Sequence, residues 1–304
     1  MTDLSAYPHV ARVTDVFSTA FPYFKGTIDR QRETFGTNWL EHFEREMTVM
    51  FGADWSRFDN AVTGYGRFAL DSMKLQKLFD KTRQYVNKTY AEAASEVYQN
   101  RTYMFDLYLP GILLSHFLWR HHYMQHLFYV KEFLPRVRAH GGDLFYDVGV
   151  GTGFYSKEML RATPGMRGQG FDLSPFSLEF TGNTLTSFGL RDRYTLNKRD
   201  IIKDPVSPPA PFVVSIEVLE HLEDPQSFLN ALSRMLAPGG FGLISAALTA
   251  PNADHIYLYN EPGDVIEQIE KAGFKVVDFV HDAAYEPRRP TDSVPRNLAV
   301  IVTH

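Results

Sequence analysis

The sequence predicts an α/β fold in its C-terminal half, a mostly parallel sheet wrapped by crossover helices, behind a large helical N-terminal region. Three observations predict it. From Asp143 onward, short apolar runs (Leu144 to Val148, Gly168 to Phe171, Phe212 to Ile216, Phe241 to Leu248) are separated by helical stretches and glycine turns, the pattern of parallel strands joined through helices. The final runs, Lys275 to Val280 and Leu298 to Thr303, are joined by a proline- and arginine-rich loop too polar to be a crossover helix, so they are expected to pair antiparallel. Residues 1 to about 140 instead carry few glycines and many aromatics at helical spacing, as in Trp39-Leu40-Glu41-His42-Phe43 and Phe68 to Leu75, which predicts helices. The expected division is therefore 1–140, a helical region acting as acceptor lid or oligomerisation surface, and 141–304, a ligand-binding α/β domain.

Composition narrows the class. With 304 residues and 44% hydrophobic content, the chain can bury a full core. Thirty-one basic against 36 acidic residues give a net charge of −5, and no basic run is present to track a phosphate backbone, so nucleic acid is a disfavoured partner. The absence of cysteine removes disulfides, thiolate metal sites and a cysteine nucleophile, and fits a reduced cytoplasm. The start, Met1 to Ser5, carries an acidic residue where a secretory signal needs positive charge. The most membrane-like segment, Gly111 to Leu134, is interrupted by His116, Arg120, His121, His122, Gln125, His126, Lys131 and Glu132. It fails the requirement of about 18 uncharged apolar residues and reads as a buried or interfacial helix, so no membrane is expected as partner.

Within the α/β half, Leu144 to Val148 is the first strand, and Asp147-Val148-Gly149-Val150-Gly151-Thr152-Gly153 follows it into a helix beginning near Phe154. Gly149, Gly151 and Gly153 let the backbone turn tightly and approach a ligand. The free N–H groups of the helix start suit either the carboxylate of a methionine moiety or a nucleotide phosphate; the loop alone does not choose. Asp172 ends the second strand, where a carboxylate can accept both hydroxyls of a ribose. Asp200 follows the third strand, where it can receive an adenine amino group while Leu173 or Ile201 packs on the ring face.

Taken in order, Asp147 to Gly153, Asp172, Asp200, the run Glu217-Val218-Leu219-Glu220-His221-Leu222-Glu223-Asp224-Pro225 and the turn Leu236-Ala237-Pro238-Gly239-Gly240 resemble the class I S-adenosylmethionine-dependent methyltransferase family. The resemblance covers roughly residues 140 to 304. Nicotinamide enzymes usually show G-x-G-x-x-G, whereas this loop spaces its glycines G-x-G-x-G. The resemblance implies a Rossmann-like, seven-stranded sheet of order 3-2-1-4-5-7-6 with strand 7 antiparallel. It also implies S-adenosyl-L-methionine as cofactor, held by Asp147, Gly149, Gly151, Gly153, Asp172, Leu173, Asp200, Ile201 and Glu217. Residues 1 to 140 match no family in this reading.

On the acceptor side, Glu217, Glu220 and His221 follow the fourth strand at i, i+3, i+4 spacing, which places them on one face if the segment is a helical turn. His255, in Pro251-Asn252-Ala253-Asp254-His255, follows the neighbouring fifth strand, so all four side chains are expected to converge at the carboxyl edge of the sheet. Two carboxylates and two imidazoles suit Mg, Mn, Fe or Zn. The arrangement resembles the Glu-x-x-Glu-His plus Asp-His pattern of small-RNA 2′-O-methyltransferases and, in part, ubiquinone-pathway O-methyltransferases. Many metal-free methyltransferases also resemble it, and without metal His221 or His255 is the leading general base, with Glu220 beside it.

His116, His121, His122 and His126 form a second cluster, in which His122 and His126 share an i, i+4 face. The simpler reading is that Trp119, Tyr123, Phe128, Tyr129 and Phe133 pack this helix, with the histidines as polar rims. Arg288, Arg289 and Arg296 sit in the last hairpin, where they either hold an anionic substrate or are only solvated. The function expected is methyl transfer to oxygen or carbon of a small-molecule acceptor in specialised metabolism. The rivals are a macromolecular methyltransferase, which the lack of Asn/Asp-Pro-Pro-Tyr after the fourth strand disfavours, and a catalytically silent cofactor-fold protein.

Overall fold

The computed structural model describes residues 4–86, 89–287, 289 and 292–304; Met1 to Asp3 and Arg288, read from sequence above, lie outside them. The C-terminal half is a seven-stranded sheet of order β3-β2-β1-β4-β5-β7-β6. Its strands are β1 Leu144–Val148, β2 Arg167–Asp172, β3 Tyr194–Lys198, β4 Ala210–Ser215, β5 Leu236–Leu248, β6 Lys275–Ala283 and β7 Arg296–Thr303. β1 to β5 pair in parallel, and β7 runs antiparallel to both β5 and β6, as the polar last loop predicted.

Burial explains the strand sequences. β4 and β7 lie inside the sheet with helices or strands on every side and are almost wholly buried, so they read as continuous apolar runs. β6 is an edge and alternates exposed and half-buried residues, the pattern of a strand with one face in water. At the turn into β5, Gly240 passes so close to Pro211 that an added Cβ would lie 2.3 Å from its carbonyl oxygen. Only glycine fits there.

The helical half packs directly onto this sheet. One apolar cluster runs from Val10, Phe17, Trp39 and Phe58 through Phe117 and Tyr129 to Phe154, Phe212 and Ile301, so the two halves share a core. A buried ion network reinforces it: the Glu46 carboxylate accepts from Lys157 and from Arg161, the latter at 2.5 Å, and both partners lie on helix Phe154–Ala162. The last N-terminal helix, Leu134–His140, ends at Gly141 in the left-handed region (φ 76°), three residues before β1.

The segment Gly111 to Leu134 is not one helix. Helices Leu109–Leu118 and Arg120–Phe128 meet at an extended Trp119 (φ −100°, ψ 126°), and Leu114 and Phe117 are fully buried. Its histidines are core rather than rim residues. The His116 ring stacks on Phe154 at 4.3 Å, His126 stacks on His42 at 4.8 Å, and His122 Nδ1 meets Ser115 Oγ at 2.9 Å. Burial keeps all four neutral, lowering His122 and His126 to about 3. Among the described residues, no helix is long and apolar enough to cross a membrane.

Candidate active site

The loop after β1 turns through three left-handed glycines, Gly149 (φ 79°), Gly151 (φ 50°) and Gly153 (φ 74°). At Gly149 an added Cβ would lie 2.4 Å from Val218 Cγ2, so both conformation and space demand glycine. Asp147 braces this loop: its buried carboxylate accepts from Ser156 Oγ one turn into the following helix, and burial raises its pKa to about 7. Asp172, at the end of β2, accepts from the Ser174 N–H at 2.8 Å and faces the Gly151 N–H at 3.5 Å. Burial lifts it to about 6 even though these N–H groups favour the anion.

Asp200 caps its own turn, accepting from Ile202 N–H (3.0 Å) and Lys203 N–H (3.3 Å), with Lys203 Nζ at 3.1 Å. Partial burial would raise its pKa, but these donors hold it below the usual carboxylate value. Leu173 is 40% exposed and Ile201 is buried. The glycine loop, Asp172, Leu173, Asp200 and Ile201 all line a single cavity of about 1470 Å³.

That cavity continues to the carboxyl edge of β4 and β5. Glu217 does not share a helical face with Glu220 and His221: its backbone is left-handed (φ 53°), and only Leu219–His221 forms a 3₁₀ turn. The Ser245 hydroxyl meets both ends of Glu217, its Oγ accepting from the backbone N–H and donating to Oε1, each at 2.9 Å. Burial raises this carboxyl to about 7. Glu220, His221 and His255 do converge, with one donor atom from each within 4.8 Å of the others. Glu217 is not in that group.

The convergent group is unusual in what it leaves unpaired. Both Glu220 carboxylate oxygens, His255 Nδ1 and Asp254 Oδ1 are buried with no hydrogen-bond partner among the described residues. Glu220 is 0% exposed, and burial beside Glu217 pushes its pKa well up. His255, its ring against His221 at 4.8 Å, is lowered to about 3 by burial. His221 Nδ1 faces acceptors, the Asp254 carbonyl at 3.1 Å and Asp254 Oδ2 at 3.3 Å. That assigns the proton to Nδ1 and leaves Nε2 free, 3.8 Å from Glu220 Oε1.

Three functional positions were not picked out by sequence reasoning. Asp254 is fully buried and accepts from two phenols of the helical half, Tyr98 (2.7 Å) and Tyr108 (2.5 Å). Tyr98 Oη also lies 3.1 Å from His221 Nδ1. The tyrosines precede Asp254 by 156 and 146 residues and belong to no motif; only the Asp-His pair hinted at Asp254. Arg289 and Arg296, by contrast, are engaged locally, by Asp292 and by Glu261 and the Asn260 carbonyl.

Comparison with known proteins bears on the same half of the chain. Residues 146–241 match a family described as a methyltransferase domain. Together with the strand order, this match supports a class I S-adenosylmethionine-dependent methyltransferase domain in the C-terminal half. That domain is 32% identical over 104 residues to a ubiquinone biosynthesis O-methyltransferase of Shewanella sp. (strain ANA-3), covering 34% of this chain and 43% of that protein. It is 26% identical over 125 residues to the protein of the same name from Caulobacter sp. (strain K31), covering 38% and 49%. The chain thus spans less than half the length of these curated relatives.

Among solved structures, the fold is shared with PigF, solved with SAH, at TM-score 0.54 and 14% identity, over 79% of this chain and 73% of that one. It is also shared with the S-adenosylmethionine-dependent methyltransferase SibL in its apo form, at TM-score 0.51 and 18% identity, over 82% and 74%. Shares this large exceed what residues 141–304 supply, so the similarity in fold extends into the helical half of the chain.

Proposed function

We propose that the chain transfers the methyl group of S-adenosylmethionine to an oxygen or carbon of a small-molecule acceptor, oxygen being favoured. One observation carries the reading: a single cavity joins the glycine loop, Asp172 and Asp200 to Glu220, His221 and His255. Asp172 would hold the ribose of the cofactor and the start of helix Phe154–Ala162 its methionine carboxylate. The bound cofactor would supply an electrophilic methyl group to an acceptor oxygen, leaving S-adenosylhomocysteine, with His221 Nε2 placed to take the acceptor's proton. Positioning of the two reactants supplies most of the acceleration.

The wall facing this point comes from the helical half and includes Tyr65, Tyr108, Trp119, His121 and His122. Its aromatic rings and neutral imidazoles suit a small, uncharged, flat acceptor. We read residues 1–140 as the acceptor wall and lid on this ground. The names of the two O-methyltransferase relatives favour oxygen.

Glu220, His221 and His255 also fit a divalent cation, because Glu220 and His255 bury donor atoms without other partners, one donor atom of His221 lies within 4.8 Å of them, and their chemistry suits Mg, Mn, Fe or Zn. When bound, such an ion lowers the pKa of an acceptor hydroxyl. The chain's own part is to hold His221 with Nε2 toward the cavity and to exclude water with the aromatic wall.

Calorimetry with S-adenosylmethionine and NAD tests the cofactor, with binding of the first alone expected. A panel of phenols and enols assayed for S-adenosylhomocysteine release, with and without chelator, tests the chemistry. No binding of S-adenosylmethionine sinks the reading; full turnover after exhaustive chelation removes the ion and leaves His221 as the base.

A further inference from the structure

Residues 89–108 cross the cavity in short pieces: helix Tyr90–Ala93, a π-helical stretch Ala94–Tyr98, a turn Arg101–Tyr103 and a second π-helical stretch Met104–Tyr108. Tyr90 and Tyr98 line the same cavity as Leu173 and Asp200, so this strap roofs the cofactor end. Ala94–Tyr98 continues helix Tyr90–Ala93 into a piece short enough to have little stability of its own, whereas Met104–Tyr108 runs on into helix Leu109–Leu118.

Besides ring packing of Phe105 on Phe176 (6.2 Å) and Phe180 (6.1 Å), the strap makes polar attachments to the C-terminal domain at three points. The Tyr90 N–H donates to Glu223 at 2.7 Å, and Arg101 pairs with Glu179 through bonds of 2.7 and 2.8 Å. Both sites are exposed, where ion pairs contribute little. The third point is buried. Tyr98 and Tyr108, each the last residue of a π-helical stretch, donate to one oxygen, Oδ2, of the fully buried Asp254. A carboxylate removed from water needs donors, and these two come from the strap. The same carboxylate stands 3.3 Å from His221 Nδ1, so strap and acceptor-side histidine are located by one group.

We propose that Tyr98 and Tyr108 are positioning residues that latch the strap over bound cofactor through Asp254, so that cofactor release requires this latch to break. Without the phenols the Asp254 carboxylate keeps only the His221 Nδ1 contact at 3.3 Å and replaces the lost donors by opening the strap to water, which shifts the strap toward its open state. The inference rests on the proposed cofactor site for one of its two readouts.

The test uses the full chain carrying Tyr98→Phe, Tyr108→Phe and both together, which keep the rings and their packing. The first readout is amide hydrogen exchange without ligand. In the double variant, protection within 90–108 is expected to fall at least tenfold, while amides of β1 are unchanged. The second is the dissociation rate of S-adenosylhomocysteine, expected to rise at least tenfold in the double variant and less in each single one, since a hydrogen bond to a charged group is worth about a factor of ten or more. Unchanged exchange in the strap overturns the latch, as does an unchanged dissociation rate. Loss of protection throughout the domain also overturns it, because the tyrosines are then merely structural. Should the double variant not fold, the single variants decide by the same readouts. A parent chain that does not bind S-adenosylhomocysteine sinks the proposed function, while the ligand-free exchange still decides the latch.

Discussion

The two ends of the cavity are built on opposite principles. At the cofactor end, Asp172 and Asp200 are satisfied by backbone a few residues away, Asp172 by Ser174, Asp200 by Ile202 and Lys203. At the acceptor end, Glu220, His255 and Asp254 bury polar atoms with no partner among the described residues, and the bonds that do form there span more than 100 positions, from Tyr98 and Tyr108 to His221 and Asp254. A satisfied site is rigid and specific before anything binds. An unsatisfied one carries a standing free-energy cost that a ligand or ion removes, as expected where chemistry is done.

The comparison breaks most sharply on turnover. Replacing Glu220, His221 or His255 by Ala is expected to lower the rate of methyl transfer by about 10²–10⁴-fold, while S-adenosylmethionine affinity measured by calorimetry stays within about twofold. A parallel loss of affinity would show that the two ends are not separate. Glu220→Gln sharpens the point: folding at neutral pH must protonate this buried carboxyl, a cost the amide avoids, so the melting temperature should rise as activity falls.

A smaller effect is expected at the cofactor end as a function of pH. Asp172 titrates at about 6, and only its anion accepts two ribose hydroxyls. Affinity for S-adenosylmethionine should therefore be flat above pH 7 and fall as pH drops through 6, reaching about tenfold weaker by pH 5. An affinity flat down to pH 5 would remove Asp172 from the ribose contact.

The smallest effect concerns the brace beneath the loop. Asp147 has a folded-state pKa of about 7 against 3.8 unfolded, so the folded state holds its proton more tightly. Stability is then greatest below the unfolded value and is lost as pH rises through 7. Asp147→Asn removes the titrating charge and should raise the melting temperature at pH 8 by several degrees, corresponding to at most about 4 kcal/mol, with the gain vanishing near pH 4. Equal melting curves at pH 8 would place the charge in a more solvated setting.

The same contrast governs what could be read in advance. The strands, the glycine loop and the positions of Asp172 and Asp200 at strand ends were legible because a strand, a turn and a cap are local: Gly149, Gly151 and Gly153 are required by left-handed backbone at those positions. The strand order came from the family resemblance. The segment after β4 was harder. Its i, i+3, i+4 spacing suggested one helical face, but Ser245 holds Glu217 in a left-handed conformation from the neighbouring strand, a tertiary contact that overrides the local pattern. The break at Trp119 within an apparently continuous helix was misjudged for the same reason. The ring of Trp119 packs against Phe68 at 5.6 Å, some 50 residues earlier in the chain.

By itself, then, the sequence determined the sheet, its antiparallel last strand and the acids that mark the cofactor end, since backbone sterics and hydrophobic periodicity act over a few residues. Only the tertiary structure decided that Glu220, His221 and His255 meet without Glu217, that Asp254 stands behind them, and that Tyr98 and Tyr108 reach it from the other half of the chain. Those contacts depend on how two halves with a common core settle on one another, and burial, not spacing, fixes which polar groups then go unpaired.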